Sequence, residues 1–205
     1  MYVYSDAEDT SGSGISVLNF LIIGALCGFI IAISVIGLLA TAVKLLQDKS
    51  GKFWILGTFM SIFNVTCVVF MCLFIWCVEL SESNCYGGYF VQNFFFHAFC
   101  VSFDSFILYR AYGTCGWNQW VLLGSIVLVL HRIGWWAADL KESYGYWDSG
   151  IRTCGYYQNP NTAVGSNCAD ILADVFSTAI SLGFNLQYLN TNWMNTLKII
   201  IQENS

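Results

Sequence analysis

Long apolar runs separated by short polar stretches organise this chain. A helix that crosses the hydrocarbon core of a bilayer needs about 20 mainly apolar residues, each rising 1.5 Å. Five stretches meet that requirement: about Ile15 to Leu46, Phe53 to Val78, Tyr89 to Tyr112, Trp117 to Asp139, and Asn167 to Leu189. The first is uncharged between Glu8–Asp9 and Lys44, the second between Lys52 and Glu79. The third contains His97, Asp104 and Arg110, and the fourth His131 and Arg132. The fifth carries Asp170 and Asp174 in its first two turns. The pattern predicts an all-α, polytopic transmembrane bundle of about five spanning helices. A polar N-terminal tail occupies 1–14, the bundle 15–190, and a C-terminal extension, or the lead-in to further helices, 191–205.

Composition supports this reading. The chain is 57% hydrophobic and only 10% charged, whereas soluble domains carry about 25% charged residues. The same runs could be buried helices of a large soluble protein, but 205 residues leave nothing to cover five of them. Net charge is -5 with no basic stripe, which argues against nucleic acid as a partner. Residues 1–14 are acidic and polar, unlike the basic and then apolar start of a cleaved signal peptide. The first apolar segment is therefore expected to target the chain and stay in the membrane, plasma membrane or endomembrane.

Lys and Arg in short loops set orientation. With the N-terminus outside, Lys44, Lys49, Lys52, Arg110 and Lys198 are cytoplasmic, and only Lys141 and Arg152 lie opposite. The bias favours N-outside and C-inside. The loop at about 140–166 is then non-cytoplasmic. It is too rich in aromatics (Tyr144, Tyr146, Trp147, Tyr156, Tyr157) for ordinary disorder, and longer than connections without a function usually are.

Of nine cysteines, Cys27, Cys67, Cys72 and Cys100 fall within spans, where a thiol acts as a small hydrophobe. Cys115 is placed at the cytoplasmic side. Cys77, Cys85, Cys154 and Cys168 cluster near the outer face, where disulfides are expected if that side is oxidising. Cys154 or Cys168 pairing with Cys85 would tie the long loop to the third helix; Cys154 pairing locally with Cys168 is the alternative.

Charged groups at membrane depth are costly and face a protein interior. From helix rise, His97, His131, Arg132 and Asp174 lie about 10–13 Å below the outer helix ends, with Asp170 one turn above Asp174. Asp139 closes the fourth segment. Arg132 is expected to be neutralised by Asp174, Asp170 or Asp139. These six residues define either an outward-facing polar cavity roofed by the aromatic loop or an ion-paired packing cluster. Asn64 and Asn185 can add hydrogen bonds nearer mid-membrane. Asp104 and Arg110 form a separate inner-end polar pair of positions. Their spacing is off-register for an i, i+4 contact, so Asp104 is expected to find its partner on another helix, and Arg110 reads foremost as a positive-inside anchor. Gly24, Gly28 and Ala32 form a small-xxx-small row that permits close helix approach.

No HExxH, GxSxG or P-loop pattern is present. The Asp170–Asp174 pair has no histidine or metal-ligand partner at matched spacing. The expectation is a protein that is not an enzyme and holds no metal or cofactor. The one cofactor option is a b-type haem between His97 and His131, at matching depth on neighbouring helices.

The acidic N-terminus, Cys85 at the head of the third helix, Tyr109-Arg110-Ala111-Tyr112 at its foot, and the cysteine-bearing loop after the fourth helix together resemble the first five helices of seven-helix receptors. That resemblance implies a Cys85 disulfide to the loop and an inner-end role for Arg110. Three functions follow as expectations. One is receptor-like ligand binding in the outward cavity. Another is a structural or accessory subunit of a larger membrane complex, with other subunits or further copies as partners. The third is a channel or transporter with Asp104, Asp170 and Asp174 along its path.

Overall fold

The computed structural model describes residues 17–48, 51, 53–77, 80–150 and 152–189. The N-terminal tail, the C-terminal extension and Lys49, Lys52 and Lys198 lie outside that set. Five helices run through it: α1 (Val17–Gln47), α2 (Trp54–Cys77), α3 (Glu82–Thr114), α4 (Gln119–Glu142) and α5 (Pro160–Leu189). Among the described residues, α1 to α4 are long and apolar enough to cross a membrane. Large apolar side chains such as Leu21, Phe29, Leu39, Trp54, Leu130 and Leu172 point outward from the bundle. A soluble monomer does not expose apolar surface on that scale, so the fold is consistent with a multi-pass integral membrane protein.

Two boundaries and the long loop differ from the sequence expectation. α3 begins at Glu82, seven residues before Tyr89, because Glu82 to Gly88 wind into helix beneath the aromatic loop rather than forming part of the preceding turn. α5 begins at Pro160 instead of Asn167. Proline suits the first helical position, where no N–H is needed and φ is already helical, and the Asn159 Oδ1 accepts from the Asn161 N–H at 2.8 Å. α5 is 30 residues long, but its polar outer half keeps it out of the set that crosses a membrane by apolarity alone.

The third difference is the long loop, which is not irregular. β1 (Tyr144–Asp148) and β2 (Thr153–Tyr157) pair antiparallel, Tyr144 opposite Tyr157 and Trp147 opposite Cys154. The Asp148 Oδ1 accepts from the Gly150 N–H at 2.8 Å and starts the turn. Strand residues alternate between faces, so Cys154 and Tyr156 share the face toward α3. The Cys85–Cys154 disulfide pins this face to α3, and Tyr156 stacks on Tyr89 with ring centroids 5.3 Å apart. A lone hairpin is marginal in water; here α3 supplies the missing third surface. Gly145 allows the close approach, since a Cβ there would sit 2.7 Å from the Cys85 carbonyl oxygen.

The helices pack in sequence order, α1 on α2 and α2 on α3, with α4 and α5 closing on α3 and on each other. Gly24 and Gly28 of the small-residue row meet no neighbour among the described residues; α1 and α2 approach closely instead at Gly37, against the Asn64 side chain, and at Gly57, against Leu45. Asn64 itself donates to the Met60 carbonyl at 2.8 Å, and the Asn185 side chain lies outside the described set. At the hairpin end of the bundle, Gly165 of α5 lies directly on the Trp135 indole of α4, with no room for a Cβ. Gly165→Val is expected to force the two helices apart and cost about 1–3 kcal/mol. The check is thermal unfolding in detergent, and an unchanged midpoint would show that the indole can swing away.

Candidate functional site: a roofed polar cavity

Two polar layers lie between α3, α4 and α5, and they differ in how fully they are satisfied. The outer layer centres on Asp139, which is fully buried in the last turn of α4. Its Oδ2 accepts from Asn93 Nδ2 at 2.8 Å and from His97 Nε2 at 2.9 Å, both on α3. Its Oδ1 accepts from the Ser143 hydroxyl at 2.7 Å and from the Thr162 hydroxyl on α5. A carboxylate has about four acceptor sites, and all four are filled. Ser143 in turn accepts from the Asn159 N–H at 3.1 Å, which fixes the start of α5.

His97 couples this layer to the next. Arg132 Nη1 lies 3.2 Å from His97 Nδ1. A guanidinium only donates, so Nδ1 is the acceptor, the ring proton sits on Nε2, and that proton goes to Asp139. One histidine thus relays between a saturated carboxylate and a buried guanidinium.

The inner layer centres on Arg132. Its Nε lies 2.5 Å from Asp170 Oδ1 and 3.9 Å from Asp104 Oδ2. Neither carboxylate oxygen completes an aligned hydrogen bond, so charge rather than geometry holds this group together. The Arg132 and Asp104 side chains are 2% and 5% exposed, whereas that of Asp170 is 34% exposed. Asp170 opens onto a cavity of about 240 Å³ between α3, α5 and the hairpin.

The cavity walls mix aromatic and polar groups. Tyr89, Phe96 and Tyr156 line it together with Gln92, Ser166 and Asn167. Gln92 Oε1 and Ser166 Oγ are buried without a hydrogen-bond partner among the described residues. Tyr156 hangs from the hairpin as part of the roof. Burial pushes its phenol up to about 12, and the nearby Asp139 carboxylate adds to the shift. The roof therefore keeps its proton at physiological pH and faces the cavity as an uncharged hydroxyl.

Set against the sequence expectation, Arg132 and Asp170 line the cavity, while His97 and Asp139 support it from behind. Two expected members are elsewhere. His131 is on the exposed side of α4, where it accepts from Trp135 Nε1 at 3.1 Å, because Arg132, one residue on, takes the inward position. Asp174 is exposed, one turn beyond Asp170. Asp104, set apart from the cavity residues but expected to find a partner on another helix, lies 3.9 Å from Arg132 of α4. Arg110 forms no ion pair among the described residues; it is exposed and lies over the Phe106 ring. A bis-histidine haem geometry is not formed, because both His97 nitrogens are engaged and His131 turns away. Of the cysteine candidates, Cys85 and Cys154 pair, Cys77 is a buried thiol beside them, and Cys168 is exposed.

Sequence reasoning missed Tyr89, Gln92, Asn93, Phe96, Ser166 and Asn167. The usable signal was periodic: Tyr89, Gln92, Asn93 and Phe96 recur at i, i+3, i+4 and i+7, one helix face. Comparison with family models, with curated proteins and with solved structures gives no match.

The roof depends on its anchor. Cys85 and Cys154 are 69 residues apart, and a bridge of that span stabilises by about 2–4 kcal/mol. Cys85→Ser is expected to lower the thermal midpoint and to expose Tyr89 and Tyr156 to solvent, read by tyrosine fluorescence quenching. An unchanged quenching curve would mean that α3 packing alone holds the hairpin.

Proposed function

We propose that this chain is a receptor-like, non-enzymatic membrane protein that binds a small ligand in the cavity beneath the hairpin. It lies in a lipid bilayer and crosses it five times, α5 included, with the N-terminus outside and the C-terminus cytoplasmic. The exposed Arg110 and Lys44 at the α3 and α1 ends serve as positive-inside anchors. The observation that carries the reading is the contrast between the two layers. Asp139 has every acceptor site filled, as a structural clamp should, whereas Gln92 and Ser166 keep buried, partnerless atoms at a cavity. Such atoms cost about 1–3 kcal/mol each when left unmet, and a ligand would meet them. The hairpin, pinned by a disulfide to the head of α3, gives the cavity a fixed roof, an arrangement the likeness to seven-helix receptors also implies.

A subunit role is the second reading. The unfilled Gly24–Gly28 face of α1 favours it, because small residues there permit a further helix to approach. Native mass spectrometry of protein taken from its own source in mild detergent separates the two. One or two copies carrying a small molecule support ligand binding; a stable assembly with other chains overturns it in favour of the subunit role. Thiol labelling from outside, after reduction, tests orientation: Cys85 and Cys154 should react and Cys115 should not, and the reverse pattern inverts the topology.

A further inference from the structure

The charge balance of the cavity narrows the ligand class, on the reading that this cavity is a ligand site. Arg132 offers one positive charge to two carboxylates, Asp104 and Asp170, both within 4 Å of the same Nε atom. Asp104 is enclosed, so only Asp170 presents its charge to the cavity. No other Lys or Arg among the described residues lines the space. Gln92 is 9% exposed and holds its carbonyl oxygen there without a donor; Ser166, 5% exposed, is likewise unpartnered. The wall thus holds one carboxylate more than it has cations, and the Gln92 carbonyl oxygen lacks a donor. Its remaining surface is aromatic, from Tyr89, Phe96 and Tyr156.

We infer that the cavity binds a small protonated amine, its ammonium group on Asp170 and the Gln92 carbonyl and its carbon skeleton against Tyr89 and Tyr156. An ammonium supplies in one group both the charge that Asp170 faces and a donor for the Gln92 carbonyl. Ring faces add attraction for the same cation. An anionic ligand would add to the carboxylate excess and could not donate to the Gln92 carbonyl, and a neutral alcohol would leave the charge uncompensated.

The test uses three probes that share a phenylethyl skeleton: phenethylamine, phenethyl alcohol and 3-phenylpropionate. Each is titrated by calorimetry into the full chain in lipid nanodiscs, in sodium chloride buffer so that an inorganic cation always competes. The amine is expected to bind about tenfold tighter than the alcohol, as one charge-assisted hydrogen bond provides, and the acid weakest. Asp170→Asn should bring the amine to the level of the alcohol while leaving the alcohol nearly unchanged. Should that variant not fold, Gln92→Leu serves, with the amine weakened more than the alcohol. Equal affinity of amine and alcohol would show that a proton on the aspartates or a sodium ion already balances the charge. That outcome, or preference for the acid, overturns the amine assignment and leaves the cavity a ligand site. Failure of all three probes to bind at millimolar concentration overturns the ligand-site reading itself.

Discussion

Asp139→Ala is expected to lower stability by about 3–5 kcal/mol, the range seen when one partner of a buried charged network is removed. The carboxylate reaches α3, the end of α4 and the first turn of α5 together, through Asn93, His97, Ser143 and Thr162. Alanine would leave four buried donors facing one another at the outer end of the bundle. Ser143 and Thr162 can rotate toward other acceptors, but the Asn93 amide and the His97 Nε2 proton cannot. Asp139→Asn should be milder, roughly 1–2 kcal/mol. Its carbonyl oxygen keeps one pair of donors, and its amide can donate to the two hydroxyls, which also accept. The order wild type, asparagine, alanine in thermal midpoint, measured in one detergent, is the expected result. An alanine variant as stable as wild type would show that the interhelical packing does not depend on this clamp.

The apolar framework was legible in the sequence because lipid demands long uninterrupted apolar runs; α2 offers one without a single charge, and α1 one whose only charge is Lys44 in its last turn. What the runs do not encode is where a helix continues past the bilayer. The seven extra residues of α3 and of α5 are mostly polar or small and lie among other protein elements, so their helical state comes from tertiary contacts and, at α5, the Asn159 cap, which hydropathy does not register. The hairpin was hidden for a related reason. Tyr-Gly-Tyr-Trp-Asp and Thr-Cys-Gly-Tyr-Tyr are short, and their aromatics fall on both faces, so no clean alternation marks them. Depth along a helix placed His97, Arg132 and Asp170 in one zone, and their side chains lie together around Arg132. Depth says nothing about azimuth, and His131 beside Arg132 shows the consequence, because adjacent residues on a helix point about 100° apart. The Cys85–Cys154 bridge was among the pairings that position near one face allowed; the hairpin's register, with Cys154 on its inner face, selects it.

Arg132→Ala is expected to match or exceed the loss at Asp139 and, with compensation, to separate packing from function. The guanidinium is buried and touches both layers: His97 through Nη1, and Asp170 and Asp104 through Nε. Its removal strands the Asp104 and Asp170 carboxylates inside the bundle without a cation, costing about 3–5 kcal/mol. Lysine is no substitute, because a single ammonium on a flexible stem does not reproduce the planar fork that serves the histidine and the carboxylates at once; Arg132→Lys should recover at most part of the loss. The informative variant is the triple one, Arg132→Met with Asp104→Asn and Asp170→Asn, which removes every charge of the inner layer while keeping its volume. Buried ion clusters replaced by uncharged groups of similar size are often no less stable than the original, so its thermal midpoint should return close to wild type. Ligand binding should not return with it, since the charge facing the cavity is gone. Stability and binding recovered together would make the inner layer a packing device, with no part in recognition. Stability recovered alone would mean that the cluster is kept, at a cost to the fold, for what it presents to the cavity.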